Sequence, residues 1–465
     1  MDDKSDVWDE WYEIYSRARP REEAMISKLP DALISQILSY LPTKEAVRTS
    51  VLSNRWKSLW LLIPALDLAS SRFPDYNAFV SFVDRLLGFC REEKSCLHKL
   101  KLSIQKDVND PPCLTRWIDF VVRRKLEHLD VECLVNRKFL EVMPLSLYVC
   151  DTLVSLRLHR VSLSEFESVS LPRVKTMSLE HNIYANDASL ESLISSCPVL
   201  EDLNLVRMVT DNVKVVRVHS QTLTSLDIDY SVGEGDDYAD GYVREGSAVL
   251  VDAPRLKCLK WQDDLSDSKV LTNTGSLVKV DFDFVFNLEN DFADVADLWK
   301  RNMVRNFFTS ISRVRDMTIS AFTAEFLYFN MEYDPLPQFC NLSRLQVNFY
   351  LYNLDMLPTL LESCPNLKSL VMDFDFDSPS SKENELMRLS SVPRCLLSSL
   401  EFVEIKRFNG GAAKMEVARY FVENSVVLRK LVLHLRCSML QEGFNMLKDL
   451  IALPRRSSTC RIEVC

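Results

Sequence analysis

Glycine is scarce in this sequence: nine in 465 residues, against a usual share of about 7%. Four of the nine crowd into Gly233–Gly246, which leaves few elsewhere to let a backbone close around phosphate. Gly233-x-Gly235 also lacks the third glycine that a dinucleotide-binding turn needs. The six histidines, His98, His128, His159, His181, His219 and His434, stand singly, outside any HExxH or Cys-x2-Cys-plus-His pattern. A nucleophile elbow of the G-x-S-x-G kind does not occur. Among 66 acidic residues no spacing singles out a hydrolytic pair. These absences read as a chain without catalytic machinery, and no cofactor is expected.

Basic clusters are missing too. Lys and Arg number 56 against 66 Asp and Glu, a net charge of −10. Nucleic acid, whose phosphates demand concentrated cations, is therefore not an expected partner. No run approaches the ~20 apolar residues that cross a bilayer, so no membrane is expected. Residues 1–25 are acidic and aromatic rather than an apolar leader. The thirteen cysteines contain no Cys-x2-Cys pair. With no leader, this predicts reduced thiols and a place in the cytoplasm or nucleus. Cys465, as the last residue, does not form a prenylation box.

What is abundant is apolar carbon. Hydrophobic residues make up 47% of the chain, which excludes global disorder. They follow a template, apolar-x-x-apolar-x-apolar, first at Leu97/Leu100/Leu102 and last at Leu428/Leu431/Leu433, with eleven copies between, such as Leu200/Leu203/Leu205 and Leu256/Leu259/Trp261. The average step is about 28 residues, an irregular repeat near the upper end of the leucine-rich class. The alternating last two positions suit a short strand with one buried face. Helical spacing fills several gaps: Phe79, Phe82, Val83, Leu86, Leu87 and Cys90; Leu114, Trp117, Ile118 and Val121; Leu190, Leu193 and Ile194; Val295, Leu298 and Trp299; Leu354, Leu357, Leu360 and Leu361. Strand, helix and strand at this period predict an irregular solenoid, with a parallel sheet on its concave face and helices outside. Cys197 and Cys364, in two near-identical Ser-Cys-Pro turns, read as small buried hydrophobes. Asp236, Asp237 and Asp240 miss the spacing of a calcium loop and read as a solvated insertion. Asp281, Asp283, Asp373, Asp375 and Asp377 alternate with Phe and are placed on the sheet's open face, opposite a basic ligand segment.

Before the repeats, residues 27–66 form a distinct unit of three short helices. Leu29-Pro30 opens the first, proline's fixed φ suiting a helix entrance. Leu33, Ile34, Ile37, Leu38 and Leu41 supply its apolar face, and Pro42 stops it. Thr43 is the expected cap of a second helix carrying Ala46, Val47 and Val51. Ser53 is the expected cap of a third carrying Trp56, Leu59, Trp60 and Ile63, closed by Pro64. About 40 residues make a marginal core, and this piece has more apolar side chains than it can hide. Leu29, Pro30, Ile34, Leu38 and Val51 are the candidates for leftover apolar surface, which usually marks a partner site.

The run LPDALISQILSYLPTKEAVRTSVLSNRWKSLW resembles the F-box in the form common in plants. VPRCLLSSLEFVEIKRFNGGAAKMEVARYFVENSVVLRKLVL, then LPRRSSTCRIEV, resemble the FBD domain of plant F-box/LRR proteins, and LVSLRLHRVSL and LISSCPVLEDLNL resemble their repeats. The resemblance implies an α/β chain in four parts: a tail over 1–26 with Trp8, Trp11, Tyr12 and Tyr15 at helical spacing; an F-box over 27–66; a leucine-rich-repeat solenoid over 67–391; and an α+β FBD region over 392–465 that closes the last repeat. It further implies docking on the Skp-class adaptor of an SCF ubiquitin ligase, and through it on a cullin-RING assembly. The matching positions are Leu29, Pro30, Ile34, Ile37, Leu38, Leu41, Val47, Val51 and Trp56, shared between adaptor contact and internal packing. The expected function is substrate recognition for ubiquitination, with a target the sequence does not name. The alternatives are a small-molecule-dependent co-receptor and an interaction scaffold outside any ligase.

Overall fold

The computed structural model describes residues 29–92, 97–107, 112–134, 140–231, 244–284, 295–331, 335–374, 391–435 and 452–465, with residues 110, 389, 448 and 450. The aromatic stretch from Trp8 to Tyr15, the acidic trio Asp236, Asp237 and Asp240, and the pair Asp375 and Asp377 lie outside the described residues. The chain forms two compact units, Met1–Ile183 and Tyr184–Cys465. Each is an α/β assembly built on parallel strands.

In the first unit, Ala65–Ala69, Lys99–Ile104, His128–Cys133, Ser155–His159 and Thr176–Glu180 pair in parallel, in that order. Their register stacks the template residues in two rows. Leu66, Leu100, Leu129, Leu156 and Met177 form one, and Leu68, Leu102, Val131, Leu158 and Leu179 the other. All ten are buried, because a period of two puts both rows on the same face of every strand. Helix Tyr76–Glu92 comes after the first strand, with Phe79, Val83 and Leu86 buried. Helix Leu114–Val122 follows, with Trp117 edge-on to Phe79 at 5.7 Å and its indole N–H donating to Asp84 at 2.8 Å.

The second unit repeats the arrangement over ten strands, from Asp202–Val206 through Cys258–Asp263 and Arg344–Phe349 to Arg461–Val464. Its rows run Leu203, Leu226, Leu259, Val280, Met317 and onward to Ile462, and Leu205, Ile228, Trp261, Phe282, Ile319 and onward to Val464. In every one of the thirteen expected template copies the last two apolar positions lie on a strand of the parallel arrays. Helices Asp187–Ser195, Val295–Ser310, Leu357–Glu362 and Ala412–Asn424 occupy the expected gaps. Cys197 and Cys364 are buried as small hydrophobes, and burial pushes the Cys197 thiol up to about 12.

Three departures from expectation have physical causes. The sheet begins one strand early, at Ala65–Ala69, where Ile63, Leu66 and Leu68 already satisfy the template. Three connections, where the repeat pattern predicts helices, are instead strands, Val215–His219, Arg244–Asp252 and Ser266–Thr272, paired in a second parallel sheet. Runs such as Val215-Val216-Arg217-Val218 and Val249-Leu250-Val251 favour the extended chain, since β-branched side chains suit a pleated surface. The third helix of residues 27–66 is only a 3-10 turn, Leu59–Leu62. Pro64 and the strand starting at Ala65 leave no length for an α-helix. Ser53 caps nothing with its side chain, and Trp56 N–H donates to the Ser53 carbonyl.

Candidate functional site

Residues 29–64 hold two helices and two 3-10 turns around a small core. Pro30 sits at the N-cap of helix Asp31–Leu38, and Pro42 rather than Thr43 at that of helix Thr43–Arg48. Displaced into the first turn, Thr43 does a different job: its hydroxyl accepts the Asp67 N–H at 2.7 Å, tying this helix to the first strand. Arg55 reaches back to the entrance of the first helix, donating to the Leu29 carbonyl at 2.6 Å and, from Nε, to Asp31 at 2.9 Å. Lys44 lies over the Phe73 ring at 4.4 Å, a cation–π contact that holds the second helix against the residues after the strand.

Ile34, Leu38, Ala46, Trp56, Leu59 and Ile63 are packed together in the core, with Leu29, Trp60 and Ala65 partly buried against it. This corrects part of the expected partner surface. Ile34, Leu38, Val47 and Trp56 are 0%, 1%, 7% and 2% exposed and have no area to give a partner. They are the packing members of the motif, because so short a segment must spend its best aliphatic and aromatic groups on its own core. Leu29 is half-buried. Pro30, Ile37, Leu41 and Val51 face solvent.

The solvent-facing residues do not stand alone. Leu33, Ile37, Tyr40 and Leu41 run along the outer side of the first helix and its exit, and Val51 and Leu52 end the second helical stretch, all 39% exposed or more. Periodicity puts Leu33 on the same apolar face as Ile34, and it gives no sign of Tyr40 and Leu52 as surface. A signal for Leu33 is nonetheless present in the spacing. The five positions at i, i+1, i+4, i+5 and i+8 contain two adjacent stripes, Leu33/Ile37/Leu41 and Ile34/Leu38, and only the second turns inward. The outer stripe, together with Tyr40, Val51 and Leu52, is a set of apolar side chains that this unit leaves in water, the usual mark of a docking surface.

The open faces of the sheets are polar. In the first unit Arg157 bridges two neighbouring strands, donating to Asp130 at 3.0 Å and to Glu180 at 2.8 Å, and Lys101 lies 3.7 Å from Asp130. His159 sits in the same face, its Nδ1 3.7 Å from Glu132 and its ring edge-on to His181 at 5.5 Å. Burial, with His181 and Arg160 nearby, lowers its pKa below the ordinary imidazole value against the pull of Glu180 and Glu132. A lowered folded-state pKa means that the unfolded chain takes up the proton first. Stability from this residue is therefore present above the unfolded value near 6.5 and is lost as pH falls below it. Thermal melts from pH 7.5 to 5 should show a steeper fall in melting temperature for the native chain than for His159→Gln. Parallel slopes would mean that His159 contributes nothing to the pH dependence.

In the second unit Asp281 and Asp283 lie half-exposed on the open face between buried Phe282 and Phe284, as expected, while Asp373 is engaged by Arg407 at 2.6 Å. Lys260 approaches Asp227 at 3.3 Å. Among the described residues no group of three His, Cys, Asp or Glu side chains is placed to hold a metal ion, and no helix is long and apolar enough to cross a membrane.

Three family models match the chain: F-box domain over residues 26–64, the LRR repeats of an FBD-associated F-box protein over 114–280, and FBD over 388–433. The exposed apolar set falls within the first of these. An FBD-associated F-box protein of Arabidopsis thaliana is 69% identical over 443 residues, covering 95% of this chain and 94% of that relative. A putative FBD-associated F-box protein of the same plant is 55% identical, again over 95% of this chain and 94% of the relative. A putative F-box/FBD/LRR-repeat protein from it is 54% identical, over 95% and 89%. With its buried and exposed apolar stripes inside the F-box match, its leucine rows inside the repeat match and such identity along nearly its whole length, the chain belongs to the plant family of FBD-associated F-box proteins with leucine-rich repeats.

Proposed function

We propose that this protein is the substrate-recognition subunit of an SCF-type ubiquitin ligase, binding a Skp-class adaptor, and through it a cullin, by the exposed apolar side chains of its F-box. The observation that carries the reading is that set itself: Pro30, Leu33, Ile37, Tyr40, Leu41, Val51 and Leu52, all exposed on the segment that matches the F-box. Residues 27–66 form the docking module in this reading, 67–391 a curved repeat solenoid that presents the target, and 392–465 the closing FBD region. The parallel strands with their stacked leucine rows support a solenoid, since each repeat buries its apolar face only against its neighbours. The ten described cysteines are all free thiols, in keeping with a protein of the cytoplasm or nucleus.

The receptor supplies no acid, base or nucleophile. It raises the effective concentration of the target's lysines at the ubiquitin-charged enzyme, converting a bimolecular encounter into an intramolecular one. Affinity purification from plant cells with the proteasome blocked tests this. Adaptor and cullin should both co-purify. Recovery of adaptor without cullin would replace the ligase reading with that of a scaffold.

A further inference from the structure

A second exposed apolar surface lies within the second unit, at the carboxyl edge of two neighbouring strands. Asp316–Ile319 and Arg344–Phe349 pair in parallel register. The first leads through Ser320, whose hydroxyl caps the Thr323 N–H at 3.2 Å, into helix Ala321–Asn330. The second leads through Tyr350 into the 3-10 turn Leu351–Met356. Phe322, Phe329 and Tyr352 are 48%, 45% and 47% exposed there. Their geometry is organised. Tyr350 and Tyr352 stack with ring centroids 5.5 Å apart and planes 5° apart, and Phe322 meets Tyr350 at 6.2 Å and 72°. Two carboxylates are set into the aromatic wall: the Tyr352 hydroxyl donates to Glu325, and the Tyr328 hydroxyl to Asp355.

Among the described residues nothing basic answers those carboxylates: no Lys or Arg pairs with Glu325 or Asp355. Burial, with Glu325 beside it, pushes the Tyr352 hydroxyl above the ordinary phenol range, and burial likewise raises the Asp355 carboxyl. By contrast, the charged recess lined by Asp373, Glu404, Lys406, Arg407 and His434 has both carboxylates already engaged, Asp373 by Arg407 and Glu404 by His434 at 3.0 Å. Exposed aromatic faces attract a cation through the ring quadrupole, and the two carboxylates add the same sign of preference. Guanidinium suits both, being planar enough to stack on tyrosine and forked enough to engage a carboxylate.

We propose that Phe322, Tyr350 and Tyr352 with Glu325 and Asp355 form a docking site for an arginine-bearing segment of a partner protein. The chemistry stands on this rim alone; only the identification of that partner as the ubiquitination target rests on the receptor reading. The test is fluorescence anisotropy of the full-length chain, co-expressed with its adaptor, against a labelled Gly-Arg repeat peptide and its Leu and Glu counterparts. The Arg peptide should bind and the Glu peptide should not, and raising salt should weaken binding. Tyr352→Ala and Glu325→Gln should each cost about fivefold or more in affinity, with melting temperature unchanged. Tyr352→Phe, which keeps the ring, should retain most of the binding. No binding of the Arg peptide to the folded chain, equal binding of the Leu peptide, or unchanged affinity in both variants would overturn the proposal. Adaptor retention is scored on the same samples and should be identical in all variants. Its absence from the native chain would count against the ligase reading and leave the peptide result intact.

Discussion

Replacing Ile37 and Val51 together with aspartate should abolish adaptor capture, a loss of about a hundredfold or more, and leave the fold intact. Both side chains are exposed, 39% and 55%, and neither belongs to the packed cluster around Trp56, so their replacement leaves that cluster intact. At an apolar interface the same change buries two carboxylates without partners, a cost of several kcal/mol for the pair. Interface energy also concentrates in a few anchors near the centre of the patch. Biolayer interferometry against purified adaptor reads the affinity, and far-UV circular dichroism checks the fold. Near-native affinity in a folded double variant would mean that the exposed apolar set is not where the adaptor binds.

Trp56→Ala should lose adaptor capture by the opposite route. Trp56 is 2% exposed among Ile34, Leu38, Ala46, Leu59 and Ile63. Truncating a buried tryptophan typically costs about 3–5 kcal/mol, and a segment of about 40 residues has little stability in reserve. Limited proteolysis should cut this variant within residues 29–64 while the repeats remain protected. The Ile37/Val51 variant should resist cleavage as the native chain does. The pair separates a side chain that builds the module from one that meets the partner. Protection of residues 29–64 in Trp56→Ala would contradict a structural role for the indole in that core.

How much of this was legible in the sequence depended on whether a pattern had one physical meaning. Apolar-x-x-apolar-x-apolar does, when a parallel strand buries one face, and the strands carrying Leu100, Leu226 and Leu431 lie where the template puts them. The strand at Ala65–Ala69 obeys the same template through Ile63, Leu66 and Leu68, but Ile63 also completes a helical spacing with Trp56 and Leu59, and the helical reading masked it. All three side chains are buried regardless; spacing identified the core and misjudged the backbone that delivers it. Helix Ala321–Asn330 has apolar residues on most sides, with Phe326 and Leu327 buried and Phe322 and Phe329 exposed, so no period marked it. In the F-box, two apolar stripes one residue apart are equivalent as sequence. Which one turns inward is set by Trp56 and Leu59 arriving from elsewhere in the segment, and that decided against Ile34 and Leu38 as partner contacts.

Hydrogen–deuterium exchange of the full-length chain, with and without saturating adaptor, locates the surface that the adaptor covers. New protection is predicted only in peptides spanning residues 29–52, where Pro30, Leu33, Ile37, Tyr40, Leu41, Val51 and Leu52 leave the water, with the repeat strands unchanged. Protection on the repeats with none in residues 29–52, or no change anywhere under conditions where the two proteins co-elute, would contradict adaptor docking there.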